Sequence, residues 1–335
     1  MRRLLALAPL LSLAGGGAAV AQLRPRTAHE LLDGIAGADP FLLALAGCCY
    51  GAALLCAAAS WRALLRGCGA QLGLGEATAC YSVGSLANAF LPARAGDVVR
   101  VGLFARRLPP GPRLLTVAGA CGTVGALRWA LLVPLAIAGA GSLLPTAALP
   151  GAAVALVPPL AAVALARRGS PRARALLAPL TCSTGRARTE AGATVLGLVA
   201  SRILAASAVA TACGIRHPLA AALLVVPALE VAGVVPLGAA GAGLSGGAAA
   251  LAFHLHGAAP VAAFTAGLAL HAVESATSVA VGAASALLLA LHSRGRDGRR
   301  PGEKPGRRRL SARAEGTSNL AAGAGAVGRQ PVTVR

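Results

Sequence analysis

SLANAFLPARAGDVVRVGLFARR (residues 85–107) carries four arginines, an aspartate and a proline, yet stands between stretches apolar enough to cross a bilayer. Whether it is a solvated loop or a polar element folded into the membrane decides the architecture. The Leu91-Pro92 step breaks helical hydrogen bonding, because proline lacks an amide N–H and fits best in the first turn of a new helix. A helix from about Ala93 to Arg106 spaces Arg94, Asp97 and Arg100 three residues apart. Side chains at that spacing are neighbours, so Asp97 can pair with either arginine. One carboxylate between two guanidiniums leaves surplus positive charge, and the helix start adds free N–H groups and the positive end of its dipole. Irregular backbone at membrane depth survives only where protein or a wet cavity surrounds it. The expectation is a broken or re-entrant hairpin that suits an anion, such as a phosphate or a lipid headgroup. The competing reading is a cytoplasmic amphipathic loop whose arginines face water.

Composition sets the class around this stretch. Hydrophobic residues make up 56% of the 335 and charged residues 13%, with a mean hydropathy of +0.70; soluble domains carry roughly 25% charged residues. Several runs approach the ~20 apolar residues that a spanning helix needs. Aromatics are only 3%, and the alternating strands and aromatic girdles of an outer-membrane barrel are absent from the sequence. The expected fold is an all-α polytopic membrane protein, a bundle of six to eight transmembrane helices with broken or re-entrant segments. The net charge of +20 would point to nucleic acid in a soluble protein, but here the cations flank apolar runs, so topology accounts for them. No nucleic-acid partner is expected. Eight cysteines show no C-x-x-C and no metal spacing, and inside apolar runs they read as small packing residues.

Apolar runs lie at 3–22, 40–60, 115–139, 145–166, 192–213, 219–237 and 260–291. The first ends in Ala19-Val20-Ala21-Gln22, which also matches a secretory cleavage site; it is read as a retained first span. With a cytoplasmic N-terminus, inner ends and flanks collect twenty-four basic residues, whereas the outer loops hold Arg24, Arg26 and Arg216. That bias places the N-terminus, the 167–190 loop and the C-terminus in the cytoplasm, with the chain in the inner (plasma) membrane. A cytoplasmic C-terminus needs an even number of crossings, so 78–107 or 238–258 must make up the count. Residues 1–291 form the expected transmembrane domain. Residues 292–335, rich in Arg, Gly, Ser and Pro, form a disordered basic tail.

The series Tyr81, Gly84, Asn88, Pro92, Arg94, Gly96, Asp97 and Arg100 resembles the signature of the flippase-like transmembrane family. That family includes the membrane region of lysylphosphatidylglycerol synthases, which has an Asn followed by Pro-x-Arg-x-Gly-[Asp/Glu]-x-x-Arg. Trp61-Arg62 and Arg106-Arg107 also sit where the family has them, and the broader resemblance covers about residues 1–292. The sequence departs from the pattern at Leu127, where a glutamate is usual before Arg128, and at His271, where an arginine is usual. It also departs at "VVPLGAAGAGLSGGAAAL", which keeps Pro236, Gly241 and Gly243 but has no glutamate. The resemblance implies a protein that translocates or binds an anionic phospholipid or a polyprenyl-phosphate-linked lipid, with Asn88, Pro92, Arg94, Asp97 and Arg100 at the headgroup. The alternative is a scaffold or accessory subunit for a cell-envelope glycolipid enzyme.

The other intramembrane polar residues are Arg128, Arg202, Glu230, His254, His256, His271 and Glu274. A charge at bilayer centre costs ~2.5–3.5 kcal/mol on insertion scales, so each invites a role. Arg128, Glu230, His271 and Glu274 are taken as supporting residues. Arg202 is a candidate partner for Glu230, and His271 and Glu274 share a helix face that suits a hydrogen bond or a proton relay. His254-x-His256 is too sparse for a metal. Nucleophilic triads, P-loops and dinucleotide fingerprints are missing from the sequence. The 44-residue polar tail is not a synthase domain, so neither enzymatic activity nor a cofactor is expected.

Overall fold

The computed structural model describes residues 36–90, 95–140, 170–234 and 241–297, with Gly34 and Ala164 besides. The described chain is helical: α1 (Pro40–Gly67), α2 (Leu74–Phe90), α3 (Ala95–Ala105), α4 (Arg113–Ala140), α5 (Pro171–Thr181), α6 (Gly185–Ala212), α7 (Pro218–Val234), α8 (Gly241–Leu255) and α9 (Pro260–Asp297). The expected spans at 3–22 and 145–166 lie outside the described residues, as does the tail beyond Asp297. Four of these helices are long and apolar enough to cross a membrane: Pro40–Gly67, Arg113–Gly139, Gly185–Ala212 and Pro260–Leu289. At 1.5 Å per residue a 28-residue helix runs about 42 Å, beyond the ~30 Å of a hydrocarbon core. Their outward faces carry exposed Ile137, Leu196, Leu204 and Leu287, as lipid contact requires and water would not tolerate in bulk. The chain is an all-α, multi-pass membrane protein.

Local chemistry fixes the helix ends. Asp39 caps α1 by accepting from the Phe41 amide at 2.9 Å, with Pro40 in the first turn, where its missing N–H is not needed. Ser170 and Thr184 cap α5 and α6 through the Ala173 and Ala187 amides. Behind α1 and α6 the chain turns at Gly69 and Gly214, both at positive φ, a conformation open to glycine without a Cβ penalty.

Two apolar cores stack along the bundle. One gathers Trp61, Leu64, Phe104, Val117 and Val195; the other gathers Val199, Val225, Phe253 and Leu270. Helix α6 runs through both and packs along α1. At the first core's end lie the C-terminus of α1 and the N-termini of α2, α4 and α6. There Ser183 donates to the Leu64 and Pro179 carbonyls. Arg62 pairs with Glu190 at 3.3 Å and donates to the Leu72 carbonyl at 3.1 Å. Arg66, Arg106, Arg107, Arg113, Arg172, Arg174, Arg186 and Arg188 belong to the same end. At the opposite end the His256 ring meets the Gly139 carbonyl at 2.9 Å, which brings the end of α8 to the end of α4.

These anchors fix the course of the two ambiguous segments. Helices α2 and α3 leave the arginine-rich end and come back to it, tied at the base by Arg107–Glu76 at 2.6 Å. Helix α7 starts at the opposite end, and α8 returns there. Of the two ambiguous segments, 78–107 is therefore a hairpin, while 238–258 brings the chain back after 219–237.

Cys68 and Cys182 sit side by side at the arginine-rich end, Cys182 exposed and Cys68 half-buried. Burial, reinforced by the neighbouring Cys182 thiol, pushes the Cys68 thiol up to about 11. Since the thiolate is the nucleophile, a maleimide at about pH 7.5 is expected to modify Cys182 well before Cys68. Cys182→Ser should remove the fast phase of labelling in detergent; a fast phase that survives would place the reactive thiol elsewhere.

Candidate functional site

The α2–α3 hairpin closes through two glycines. A Cβ on Gly96 would run into the Gly84 carbonyl and the Asn88 amide, and one on Gly84 would come within 2.7 Å of the Arg100 Cβ. Their absence lets the two backbones touch, as small residues do between membrane helices. Asn88 near the end of α2 then reaches Asp97 in the first turn of α3, donating Nδ2–H to Oδ1 at 3.1 Å. Asp97 also accepts from Arg100 Nη1 at 2.9 Å, one turn along the same helix. Its charge is well placed at the positive end of α3.

Arg100 points inward, and the residue is only 8% exposed. Its Nη2 donates to Ser85 Oγ at 3.0 Å, and Ser85 donates in turn to the Tyr81 carbonyl at 3.3 Å. The guanidinium lies 3.9 Å from the Tyr81 ring centroid and 5.9 Å from that of Trp61. Trp61 braces the floor against Tyr81 and Phe104. Stacking of a desolvated guanidinium on an aromatic face contributes about 2 kcal/mol. Asp97 is one-third exposed, so the cluster has an open carboxylate mouth above a buried cation. Asn88 Oδ1 and Arg100 Nε are buried there without a hydrogen-bond partner among the described residues.

Of the expected headgroup residues, Asn88, Asp97 and Arg100 are thus drawn into one cluster. Pro92 and Arg94 lie outside the described residues. Ser85 was not singled out from the sequence. The signal was present, since Tyr81, Ser85 and Asn88 recur at the helical spacing and line one face of α2.

A second polar cluster sits at mid-depth, between α4, α6, α7 and α9. Arg128 Nη2 pairs with Glu230 Oε2 at 2.7 Å, Arg202 Nη1 pairs with Glu230 Oε1, and Arg202 Nη2 pairs with Glu274 Oε1 at 3.0 Å. The expected Arg202–Glu230 pair is present, and Arg128 and Glu274 extend it into a line of alternating charge. Counted from the opposite end at 1.5 Å per residue, these four lie about 15–21 Å deep. Four charges at that depth are tolerable only because they neutralise one another.

His271 does not complete a pair with Glu274. Its ring nitrogens face Ser245 Oγ at 3.3 Å and Ser275 Oγ at 3.5 Å, while Glu274 turns to Arg202. His254 meets the Ala258 carbonyl, and His256 those of Ala252 and Gly139; both brace backbone. Among the described residues no three His, Cys, Asp or Glu side chains come together as metal ligands.

The family model described as "Lysylphosphatidylglycerol synthase TM region" matches residues 5–282. No curated protein and no solved structure matches the chain.

Proposed function

The chain belongs to the lysylphosphatidylglycerol synthase transmembrane-region family, and from that premise we propose that it translocates or binds an anionic phospholipid or a polyprenyl-phosphate-linked lipid. The observation that carries this reading is the hairpin of α2 and α3. It brings Asn88, Asp97 and Arg100 into a half-open polar cluster among apolar helices. On this view a headgroup enters beside the partly exposed Asp97 and takes over its contact with Arg100, and the released guanidinium, with Arg94 of the same signature, supplies the attraction to phosphate. In this reading the protein works in the inner (plasma) membrane with its arginine-rich end and both termini in the cytoplasm, and it moves or holds lipid without catalysing a reaction.

Reconstitution tests it. Liposomes carrying the purified protein should exchange a headgroup-labelled phosphatidylglycerol between leaflets faster than protein-free liposomes. Arg94→Gln and Arg100→Gln should each slow that exchange about ten- to a hundredfold, the loss expected for one charge-assisted bond of ~1.5–3 kcal/mol. Arg→Lys should recover only part, because an ammonium cannot make the bidentate contact. Full activity in both glutamine variants would reduce the hairpin to a structural element.

A second reading, a non-transporting scaffold for an envelope glycolipid enzyme, draws on the Arg100 contacts. Both its terminal nitrogens are engaged by Asp97 and Ser85, and its face by Tyr81. A scaffold would leave the leaflet exchange of labelled lipid at the protein-free rate.

A further inference from the structure

We propose that Arg128 is a second, mid-membrane station for a phosphate-bearing anion, an inference that rests on the lipid-moving reading. The charges run in a line, Arg128–Glu230–Arg202–Glu274. Arg202 stands between two carboxylates, with both terminal nitrogens engaged. Arg128 stands at the end, with a share in one carboxylate that already serves Arg202. The line therefore has a positive pole at Arg128. That pole is also the under-coordinated one. Among the described residues, Arg128 makes an ion pair through one terminal nitrogen, Nη2, where Arg202 uses two, and the Nε of each is buried without a partner. The Arg128 side chain is nonetheless 23% exposed, against 13% for Arg202 and 6% for Glu230. A partly exposed cation held at this depth with an unpartnered Nε suits an anion with several oxygens, and phosphate fits.

Exchange at this position leaves every group in contact with an opposite charge, although Arg202 alone then faces two carboxylates. When a phosphate takes Arg128, Glu230 keeps Arg202, and Arg202 keeps Glu274. Prolines flank the exchanging pair, Pro134 in α4 and Pro227 in α7. Each removes the amide that would bond the carbonyl four residues earlier, which loosens the helix beside Arg128 and Glu230. The two stations also differ in depth. Arg100 lies about 8 Å from the arginine-rich end of α3, and Arg128 about 23 Å from the same end of α4. A headgroup captured at the hairpin would meet Arg128 further along its path.

The test uses full-length protein in phosphatidylcholine liposomes with a trace of headgroup-labelled phosphatidylglycerol, and a parallel arm that follows uptake of radiolabelled inorganic phosphate. Arg128→Gln should slow lipid exchange at least tenfold, and Arg128→Lys should restore part of it. The double variant Arg128→Gln/Glu230→Gln balances the remaining charges, Arg202 against Glu274, and should unfold near the wild-type temperature. It should nevertheless remain as slow as Arg128→Gln alone. A double variant that regains the wild-type rate would show that Arg128 serves only to neutralise Glu230, and would overturn the proposal. So would an Arg128→Gln variant as fast as wild type. A loss confined to phosphate uptake would assign the site to a soluble anion and overturn the lipid assignment. Wild-type protein that exchanges no labelled lipid would overturn the lipid-moving reading, and this inference with it.

Discussion

Glu230→Gln is expected to destabilise the protein by about 3–5 kcal/mol, the cost of removing one partner from a buried ion pair. Both oxygens of Glu230 are in use, one by Arg128 and one by Arg202, and its side chain is only 6% exposed. The neutral amide leaves Arg128 without a counter-charge at mid-depth, where an uncompensated cation is poorly tolerated. Arg202 fares better because Glu274 still holds its Nη2. Thermal unfolding in detergent measures the loss. Two comparisons give it meaning. Adding Arg128→Gln should return most of the stability, since the surviving Arg202–Glu274 pair is balanced. Glu190→Gln, which breaks the surface pair with Arg62, should cost no more than about 1 kcal/mol, because both of those groups reach solvent. If Glu230→Gln unfolds at the wild-type temperature, the arginines have another source of neutralisation and the four-charge line is not what holds the second half together.

Gly96→Ala is expected to prevent the α2–α3 hairpin from closing. The new methyl would overlap the Gly84 carbonyl and the Asn88 amide and side chain. These are mostly backbone atoms, so no rotamer change relieves the clash. Overpacking a well-filled site costs about 1–3 kcal/mol, and a backbone obstacle puts this substitution at or above the top of that range. Separation of the helices also pulls Asn88 away from Asp97 and disturbs the Arg100 cluster beneath. The variant should therefore lose both stability and lipid exchange. Gly102→Ala supplies the control on the same helix. Nothing lies within 4 Å of its added methyl, and alanine is the better helix former by up to about 1 kcal/mol, so that variant should be neutral or slightly more stable. Equal behaviour of the two alanine variants would mean the glycine contact is not required.

Much of this was legible in the residues. The helical period makes Asp97 and Arg100 neighbours on any helix that contains both, and the structure joins them at 2.9 Å. The cost of charge in hydrocarbon required a partner for Arg202, and Glu230 was the candidate that proved to be in contact. Local rules also set the helix starts at Pro40 and Pro171, each capped by the preceding Asp39 or Ser170.

Other pairings were out of reach. Glu274 could have been matched to His271, three residues away, but it binds Arg202, seventy-two residues away in sequence. Arg128 has no acidic residue within its own segment, and Glu230 reaches it only because α4 and α7 pack side by side. Whether Arg100 faced a headgroup or the protein interior was equally open from spacing alone.

The sequence by itself determined that this is a multi-pass helical membrane protein, with its arginines gathered toward one side and a polar break at residues 85–107. Those properties follow from composition and from periodicities within single segments, which the bilayer enforces whatever the segments pack against. Only the tertiary structure decided that α2 and α3 turn back to the arginine-rich end, that Arg100 is turned inward onto Tyr81, and that four charges on four helices form one line. Those depend on how each helix is rotated about its axis against its neighbours. In a chain this rich in Ala and Gly that rotation is set by close approaches such as Gly84 to Gly96, which no single segment specifies alone.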